Sequence, residues 1–393
     1  MMSAKPTTHR GFLLSGMKEA KLYESVFGVK PKTFEDLFND VIDAGKCTFC
    51  GGCFAACPFS VIGFENELPK LVGACYQCEL CWYTCPRTVF DYDEMDKAIF
   101  GRVRDKEERL GIYIAAYAAR SKIKDVLNVA QDGGIATTLL AYSLDKGIVD
   151  SVVASKRNVD VWRPWQRDYE TKGDLWRPWP NVVFDSKELI EASGTKYSTS
   201  PVTVGLRYAV EDCASSNVGV VGTPCEIQTV RKMQYSYKAC SKLGSRVKFV
   251  VGLFCMESFW YKELVKFIEW KGVDINTVRK FAITKGKFIA YAEDKELFSV
   301  PLDEIKACVR GSCHVCRDFT AEHADISVGS VGSPDGWSTV LIRTKVGEEL
   351  FKGACEAGYI EFKPIEEVKP GLKSVLKLSE GKKERQKEVK EQG

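Results

Sequence analysis

Residues 47–58 read CTFCGGCFAACP, and residues 75–86 read CYQCELCWYTCP. Both runs follow the pattern C-x2-C-x2-C-x3-C-P, which binds two [4Fe–4S] clusters in bacterial two-cluster proteins, where the fourth cysteine of each run serves the other cluster. The predicted ligands of a first cluster are Cys47, Cys50, Cys53 and Cys85. The predicted ligands of a second cluster are Cys57, Cys75, Cys78 and Cys81.

The spacing of these runs has a geometric reason. Gaps of two residues wrap a tight loop around a cubane, so that three thiolates reach three irons and the next cysteine leaves for the other cluster. Pro58 and Pro86 fix the backbone after that cysteine, and Gly51 and Gly52 permit a close backbone approach. Two zinc sites are the alternative, but these usually combine two C-x2-4-C pairs or mix cysteine with histidine. We therefore expect iron–sulfur clusters and one-electron transfer.

Composition argues against several other classes of protein. The 393-residue chain is 45% hydrophobic and 28% charged, which is ordinary for a globular protein. Its net charge of +3 is too small to predict nucleic-acid binding. No apolar run approaches the roughly 18 residues of a membrane span, and the N-terminus has no apolar signal segment. We expect a cytoplasmic protein whose 16 cysteines bind metal rather than form disulfides.

After the cysteine runs, the sequence alternates between strand and helix patterns. A strand is predicted at 112–121, a buried strand that ends in a cysteine loop at 248–259, and antiparallel strands between 278 and 302. The order predicts an α+β (mixed α/β) fold with a mixed sheet. The predicted divisions are an N-terminal arm at 1–38, a two-cluster ferredoxin domain at 39–95, a mixed-sheet domain at 96–370, and a charged, solvated tail at 371–393.

The tetrapeptide WRPW occurs at 162–165 and again at 176–179. Tryptophan and arginine are enriched in interface hot spots, so one interpretation is an inserted surface loop that anchors a partner protein. The other interpretation is a loop that folds its rings onto its own domain. We weight the two equally, and the first predicts that deletion of 162–175 weakens complex formation.

Four further cysteines follow predicted strands or loops: Cys225, Cys255, Cys313 and Cys316. Glycine or proline lies close before three of them, so these thiols can face a cluster across a loop. From the residues alone, a structural pair or a redox-active dithiol also fits.

Several long motifs resemble those of a known family, the beta subunits of coenzyme F420 hydrogenases and dehydrogenases. They are QDGGIATTLLAYSL at 131–144, ASGTKYS at 192–198, VVGTPCEIQ at 220–228, GLFCMESF at 252–259, and the stretch from Gly311 to Thr344. The resemblance implies that Cys225, Cys255, Cys313 and Cys316 hold a third [4Fe–4S] cluster, with Cys308 as a competing ligand. It also implies that the domain binds FAD and takes the deazaflavin coenzyme F420 as substrate.

Coenzyme F420 donates a hydride, whereas iron–sulfur clusters accept one electron at a time, so a flavin between them is chemically required. Glycine-rich turns are the candidate cradles, since glycine and helix N-termini favour phosphate groups. Singly these motifs are weak, and the resemblance supports them as a set. The candidate cofactor-binding residues are Gln131, Asp132, Gly133, Gly134, Thr137, Gly194, Thr195, Lys196, Tyr197, Gly222, Thr223, Gly329, Ser330, Val331, Gly332 and Ser333.

The sequence therefore predicts a subunit that oxidises reduced coenzyme F420 through FAD and three [4Fe–4S] clusters, with reverse flow also compatible. The resemblance implies an electron-accepting partner: a membrane quinone or methanophenazine reductase, or soluble disulfide-reductase or hydrogenase subunits. The chain reaches the inner face of a membrane, in this interpretation, only through that partner. The alternatives are a related formate dehydrogenase beta subunit or ferredoxin-dependent reductase, a non-enzymatic electron relay, and a zinc-stabilised scaffold.

Overall fold

The computed structural model describes residues 30–157, 176–293 and 295–392, with side chains described as far as Lys387. The first WRPW block and most of the predicted N-terminal arm lie outside these residues. The second block is in the described part, where Trp176 and Trp179 are both buried. For this second block the structure therefore matches the interpretation in which the rings pack on their own domain.

The part of the chain that carries both cysteine runs, residues 34–91, is built from short helices and one hairpin and is called the ferredoxin module below. The helix α1 continues directly into a π-helical turn. Glu79 in the second cysteine run takes the left-handed backbone conformation that Gly51 takes in the first run. The elements are α1 (Phe34–Leu37), the π-helical turn Phe38–Asp43, α2 (Gly52–Ala56), β1 (Ile62–Glu65), β2 (Leu68–Leu71) and α3 (Leu80–Thr84).

The rest of the chain forms an eight-stranded mixed sheet and a small three-stranded antiparallel sheet. The large sheet has the order β13-β3-β12-β11-β7-β6-β4-β5. Its strands are β3 (Ala115–Ser121), β4 (Ser151–Lys156), β5 (Trp179–Val183), β6 (Val218–Gly222), β7 (Val247–Leu253), β11 (Ile326–Gly329), β12 (Ser338–Ile342) and β13 (Ile360–Pro364). The small sheet consists of β8 (Lys280–Thr284), β9 (Lys287–Ala292) and β10 (Lys295–Pro301).

Helices cover the large sheet and bury its Val- and Ile-rich strands. The helices are α4 (Tyr92–Phe100), α5 (Lys124–Val129), α6 (Ile135–Asp145), α7 (Val202–Glu211), α8 (Pro224–Tyr235), α9 (Ser241–Gly244), α10 (Tyr261–Trp270), α11 (Leu302–Ile305), α12 (Gly311–His314), α13 (Lys345–Glu356) and α14 (Leu372–Gln392). Short 3-10 helices occupy Ser186–Ala192, Ile275–Thr277, Lys306–Cys308 and Ile365–Glu367. One apolar core contains α6 and α13, and another contains α7 and α8.

Four neighbouring strands, β4, β6, β7 and β11, run parallel. Because the carboxyl ends of parallel strands meet at one edge, the loops after β6, β7 and β11 lie side by side. These loops carry Cys225, Cys255 and the candidate segment 329–333. The sheet thereby gathers residues that are about a hundred positions apart in sequence.

The predicted mixed α/β fold is confirmed. Residues Ser186–Ala192 form a 3-10 helix. The helix α4 ends at Phe100, where Gly101 takes a φ of +75°. The charged, solvated tail predicted at 371–393 is wrong, because α14 is a 21-residue helix with buried positions.

The ferredoxin module packs directly on α7 and α8. A Cβ on Gly52 would come within 2.5 Å of Thr229, and one on Gly51 within 2.8 Å of Val204. Arg207 of α7 donates from Nη1 to the carbonyl oxygens of Phe54 and Cys57 at 3.1 and 3.0 Å. The two glycines therefore permit close contact between the modules as well as a tight cysteine loop.

Candidate functional site

The first cysteine set consists of the residues predicted to bind the first cluster: Cys47, Cys50, Cys53 and Cys85. Its thiols interact electrostatically with one another, and Cys85 from the second run is among them. They line a common cavity. The wall of that cavity is otherwise mostly apolar and includes Leu37, Val41, Ile42, Phe49, Phe64 and Pro69.

The second cysteine set comprises the residues predicted for the second cluster. The charge of the Cys81 thiol interacts with those of Cys75, Cys78 and Cys57, the last contributed by the first run. These four cysteines line a separate cavity. Cys78 is the exposed member of the set, and the neighbouring exposed rings of Phe59 and Tyr76 stack at 4.3 Å.

The third cysteine set comprises Cys225 at the start of α8, Cys255 in the loop after β7, and Cys313 and Cys316 in and after α12. The Cys255 thiol interacts with those of Cys313 and Cys316, and the Cys225 thiol interacts with that of Cys255. The backbone N–H of Ser258 donates to Cys313 Sγ at 3.2 Å. Four thiols from three segments of the chain thus come together.

Burial raises the pKa of most of these thiols. It raises the pKa of Cys47 to about 11 and the pKa values of Cys85 and Cys255 to about 12. For Cys316 burial also acts upward, but the cations of Lys382 and Arg87 outweigh it and lower the pKa. A bound metal deprotonates coordinating thiols outright, so buried cysteine sets of this kind fit a cationic metal core.

No group of three or more His, Cys, Asp or Glu side chains in the described residues is arranged to hold a single metal ion. The cysteine sets differ from such a site in kind, because each ligand of a cubane binds a different iron. Their thiols need to surround a volume, and the first and second sets each line a cavity. The donor chemistry and the cavities therefore fit [4Fe–4S] clusters.

The first and third sets adjoin through α8. Thr229 Oγ1 lies 3.2 Å from Cys50 Sγ and 2.8 Å from the carbonyl oxygen of Cys225. Arg87, which follows the Cys85-Pro86 dipeptide, donates its backbone N–H to Cys85 Sγ at 3.4 Å. Its guanidinium neighbours Cys316 and Cys225. The ferredoxin module and the third set thus share two direct connections.

Cys308, predicted as a competing ligand, lies elsewhere. It is buried in the apolar cluster around the small sheet, where Glu263 is the charged group that acts on its thiol. Cys240 and Cys355 also pack against apolar cores. Free cysteine commonly behaves as a small hydrophobic residue, which accounts for these positions.

Two of the candidate cofactor-binding segments lie together. Gln131 Oε1 accepts the backbone N–H of Thr195 at 3.5 Å, and the Thr137 hydroxyl lies 3.1 Å from that of Ser193. Gly134 begins α6 with a φ of +72°. A Cβ on Gly133 would come within 2.5 Å of the Ala119 carbonyl oxygen, so these glycines have a packing role as well.

Asp132 lies among charged and aromatic groups. Burial raises the pKa of Asp132 to about 6, Lys280 opposes that shift, and Asp335 adds to it. Burial also raises the pKa of Tyr197, whose hydroxyl accepts the N–H of Ile283 at 3.0 Å and whose charge interacts with Asp132. Lys280 lies in no motif, and Asp335 lies within the matching stretch 311–344 but was not among the candidate residues.

The remaining candidates make intramolecular contacts. Lys196 donates its ammonium hydrogens to the carbonyl oxygens of Ala192, Ser193 and Gly194, and burial lowers its pKa to about 7. Thr223 caps α8 together with Glu226, beside Gly222. In the loop 329–333, Gly332 has a φ of +104° and the Ser333 hydroxyl lies 2.8 Å from that of Thr339.

Two cations beside the third cysteine set, Arg87 and Lys382, were not predicted from the sequence. The position of Arg87 is recognisable, because its charge directly follows a Cys-Pro pair. Lys382 lies in the charge-rich C-terminal stretch, which was predicted to be solvated. Neither residue belongs to a motif.

Three protein-family models match the chain. A 4Fe-4S dicluster domain matches residues 39–86. The N-terminal and C-terminal models of the coenzyme F420 hydrogenase/dehydrogenase beta subunit match residues 116–207 and 215–368. No helix among the described residues is long and apolar enough to cross a membrane.

Individual relatives support these matches. The coenzyme F420 hydrogenase beta subunit of Methanosarcina barkeri is 43% identical over 72% of this chain and 93% of the relative. A subunit of the F(420)H(2) dehydrogenase of Methanosarcina mazei is 33% identical over 90% of this chain and 92% of the relative. The coenzyme F420-dependent sulfite reductase of Methanocaldococcus jannaschii is 34% identical over 82% of this chain and 48% of the relative.

A solved structure has the same architecture. A chain of the F420-reducing [NiFe] hydrogenase complex from Methanosarcina barkeri, studied by xenon derivatization, superimposes with a TM-score of 0.66. It is 40% identical in sequence, and the match covers 74% of this chain and 95% of that one.

Proposed function

The chain belongs to the family of coenzyme F420 hydrogenase and dehydrogenase beta subunits, and we propose that it oxidises reduced coenzyme F420 and passes the electrons to a partner complex. The matches to the beta subunit of an F420 hydrogenase and to a component of an F420H2 dehydrogenase support this activity. Reverse flow, which reduces the coenzyme, uses the same residues. Under this proposal the boundary predicted at 95 separates the ferredoxin module from the sheet domain, whereas residues beyond 370 belong with the sheet domain, because α14 contacts the loops of the third cysteine set.

The three cysteine sets are the proposed cluster ligands: Cys47, Cys50, Cys53 and Cys85 for the first, Cys57, Cys75, Cys78 and Cys81 for the second, and Cys225, Cys255, Cys313 and Cys316 for the third. Bound there, a [4Fe–4S] cluster takes up and releases one electron at a time. The apolar walls of the first cavity exclude water around its thiolates. The N–H groups of Arg87 and Ser258 donate to individual ligand sulfurs.

The proposed FAD and F420 site lies where the segments 131–137 and 194–197 meet. FAD, when bound, converts a two-electron hydride donor into a source of single electrons. The N-terminus of α6 offers backbone N–H groups to a phosphate. Gly222, Thr223 and the loop 329–333, which lie at the carboxyl edge with the third cysteine set, are proposed to border this site.

The proposed order of electron transfer between the clusters rests on the contacts of Thr229. Thr229 contacts both Cys50 and the backbone of Cys225, so the first and third sites are separated by little more than one side chain. The order is therefore third site, first site, second site. The exposed Cys78 makes the second site the exit toward a partner protein.

The proposed partner is an electron-accepting complex. Candidates are a membrane quinone or methanophenazine reductase, soluble disulfide-reductase subunits, and hydrogenase subunits. The sulfite reductase relative contains a similar region within a protein about twice as long. This supports a module that takes electrons from the coenzyme and is combined with different electron acceptors in different proteins. In this proposal the chain is cytoplasmic and approaches a membrane only through its partner.

Anaerobic analysis of the full-length protein tests the proposal. We expect about twelve irons and one FAD per chain, with rapid reduction of viologen dye by reduced coenzyme F420. Cys255→Ser is expected to lower the iron content to about eight, whereas Cys308→Ser leaves it unchanged. A chain with intact clusters and no flavin after gentle purification would instead support the non-enzymatic relay.

A further inference from the structure

We propose that Arg87 and Lys382 are positioning residues that set the reduction potential of the third cluster. This inference rests on the proposed function, in particular on Cys225, Cys255, Cys313 and Cys316 as cluster ligands. The two cations come from opposite ends of the chain, and neither lies within the two family models of the beta subunit, which match 116–207 and 215–368.

Arg87 reaches the third site from the ferredoxin module. Its Nη1 donates to Gln228 Oε1 at 3.2 Å, which fixes the guanidinium against α8. Its Nε is buried and has no hydrogen-bond partner among the described residues. A buried donor without a partner costs free energy, whereas an inorganic sulfide or thiolate of a cluster would satisfy it. Cys316 and Cys225 are the thiols that interact with this guanidinium.

Lys382 reaches the same site from α14. Its side chain is 2% exposed, and its Nζ donates to the carbonyl oxygens of Cys255 and Asp318, the latter at 2.8 Å. These bonds fix the ammonium beside the cysteine loop. Cys255, Cys313 and Cys316 are the thiols that interact with this ammonium.

Electrostatics predicts the direction in which the two cations change the reduction potential of the third cluster. Reduction adds one negative charge to a cluster, and a nearby cation in a poorly solvated site stabilises that charge more than it would in water. Net charge and hydrogen bonds around the sulfurs are among the terms that set cluster potentials. The carboxyl groups of Glu226 and Asp318 also neighbour these thiols and act in the opposite direction, so the two cations offset them.

The backbone contact of Arg87 allows the effect of a side-chain substitution on the third cluster to be compared with its effect on the first. Its N–H bond to Cys85 Sγ belongs to the main chain, so a side-chain substitution leaves it in place. Substitution of Arg87 should therefore affect the third cluster more than the first. Lys382 makes its contacts at the third site, so its substitution should leave both ferredoxin clusters unchanged.

The test is a redox titration of the full-length, cluster-loaded protein followed by electron paramagnetic resonance. The variants are Arg87→Gln and Lys382→Gln, with the charge-conserving pair Arg87→Lys and Lys382→Arg. Lys97→Gln on α4 and Lys377→Gln on α14 remove the same charge from exposed positions and serve as controls. We expect reduction of the third cluster to become about tenfold less favourable in each Gln variant, which is about 59 mV for a one-electron couple.

The outcomes separate this inference from the function on which it rests. Lower third-cluster potentials in the Gln variants, with near-normal values in the Lys and Arg variants and in the controls, support it. About twelve irons with an unchanged third potential in both Gln variants overturn it and leave the proposed function standing. About eight irons in the unsubstituted protein overturn the third cluster itself.

Discussion

Arg104 joins two buried carboxylates that come from distant parts of the chain. Its Nε lies 2.5 Å from Asp96 Oδ2, and its Nη1 donates to Glu322. His323 Nε2 lies 3.0 Å from the other oxygen of Asp96. Asp96 follows the ferredoxin module, whereas Glu322 and His323 precede β11. One guanidinium therefore fastens the connector to the sheet domain.

We expect Arg104→Met to destabilise the protein by about 3–5 kcal/mol, because the buried Asp96 carboxylate would lose its guanidinium partner and Glu322 would be left with Lys383. Burial alone raises the pKa values of Asp96 and Glu322, but Arg104 and neighbouring groups hold both below their ordinary values. Their contribution is therefore present above the unfolded pKa values, near 4, and is lost as pH falls below them. The difference from the parent protein in thermal unfolding midpoint should be largest near neutral pH and shrink below about pH 4.

Arg102→Met is the matched control, since Arg102 pairs with Glu108 at the surface. Exposed ion pairs contribute little to stability, so its midpoint should stay close to that of the parent. Equal losses for the two variants, or a loss in Arg104→Met that does not depend on pH, would contradict the role given to the buried pair.

Single residues were predictable where chemistry fixes their spacing. The cysteine runs identified two groups of four from the sequence, since a cubane tolerates few loop lengths. Lys196 shows the limit, because a lysine after a glycine turn suggested a ligand for a cofactor but its ammonium bonds carbonyl oxygens of its own turn. Arg104 carried no signal, because its partner Glu322 lies 218 positions away.

The helix α14 illustrates how an element can be missed. Its buried positions are Val375, Ser379, Lys382 and Gln386, which recur at helical spacing but are mostly polar. Hydrophobic periodicity detects helices that bury apolar side chains. A helix that packs on loop carbonyls and a buried carboxylate through lysine and arginine escapes that criterion.

We expect removal of residues 371–393 to expose the third site and lower the iron content from about twelve toward eight per chain, while the two ferredoxin clusters persist. The physical reason is that α14 contributes Lys382 to the loops of Cys255 and Cys316 and Arg385 to the carbonyl oxygen of Met256. Iron analysis and electron paramagnetic resonance measure the result. Lys373→Gln, an exposed change in the same helix, should retain all the iron; full iron in the truncated protein would refute this role.

Strands were predicted more successfully than this helix. The parallel strands β4, β6 and β7 are short runs rich in Val, as is typical of strands buried on both faces. The three antiparallel strands of the small sheet were also expected, and they pair as β10-β9-β8. What the sequence did not supply is the strand order, because it depends on contacts between segments far apart in the chain.

In the folded protein the three cysteine sets lie between the carboxyl edge of the large sheet and the protein surface. The mixed fold and the two-cluster module were predictable, since each rests on a local pattern. Their relative position was not, because it depends on contacts such as those of Gly52 with Thr229 and of Arg207 with Phe54 and Cys57. The same docking brings the first and third sets together and leaves the second set at the outside.

This arrangement predicts where electrons leave the protein. We expect the double change Phe59→Ser and Tyr76→Ser to lower the rate of electron transfer to the native partner complex by about tenfold or more, since aromatic anchors at interface centres commonly contribute over 1 kcal/mol each. Reduction of small viologen dye should stay within about twofold of the parent, because these rings are not proposed ligands. Both rings are exposed beside Cys78, with Phe59 at 46% and Tyr76 at 62%.

Trp270→Ser removes an aromatic residue of comparable exposure, 74%, from α10 and is expected to leave both rates unchanged. Deletion of 162–175 tests the other candidate partner contact, the inserted WRPW segment. A slower partner reaction in the Phe59/Tyr76 variant with a normal one in the deletion would assign the exit to the second cluster face. The reverse pattern would assign docking to residues 162–175 and would contradict an exit at the second cluster face.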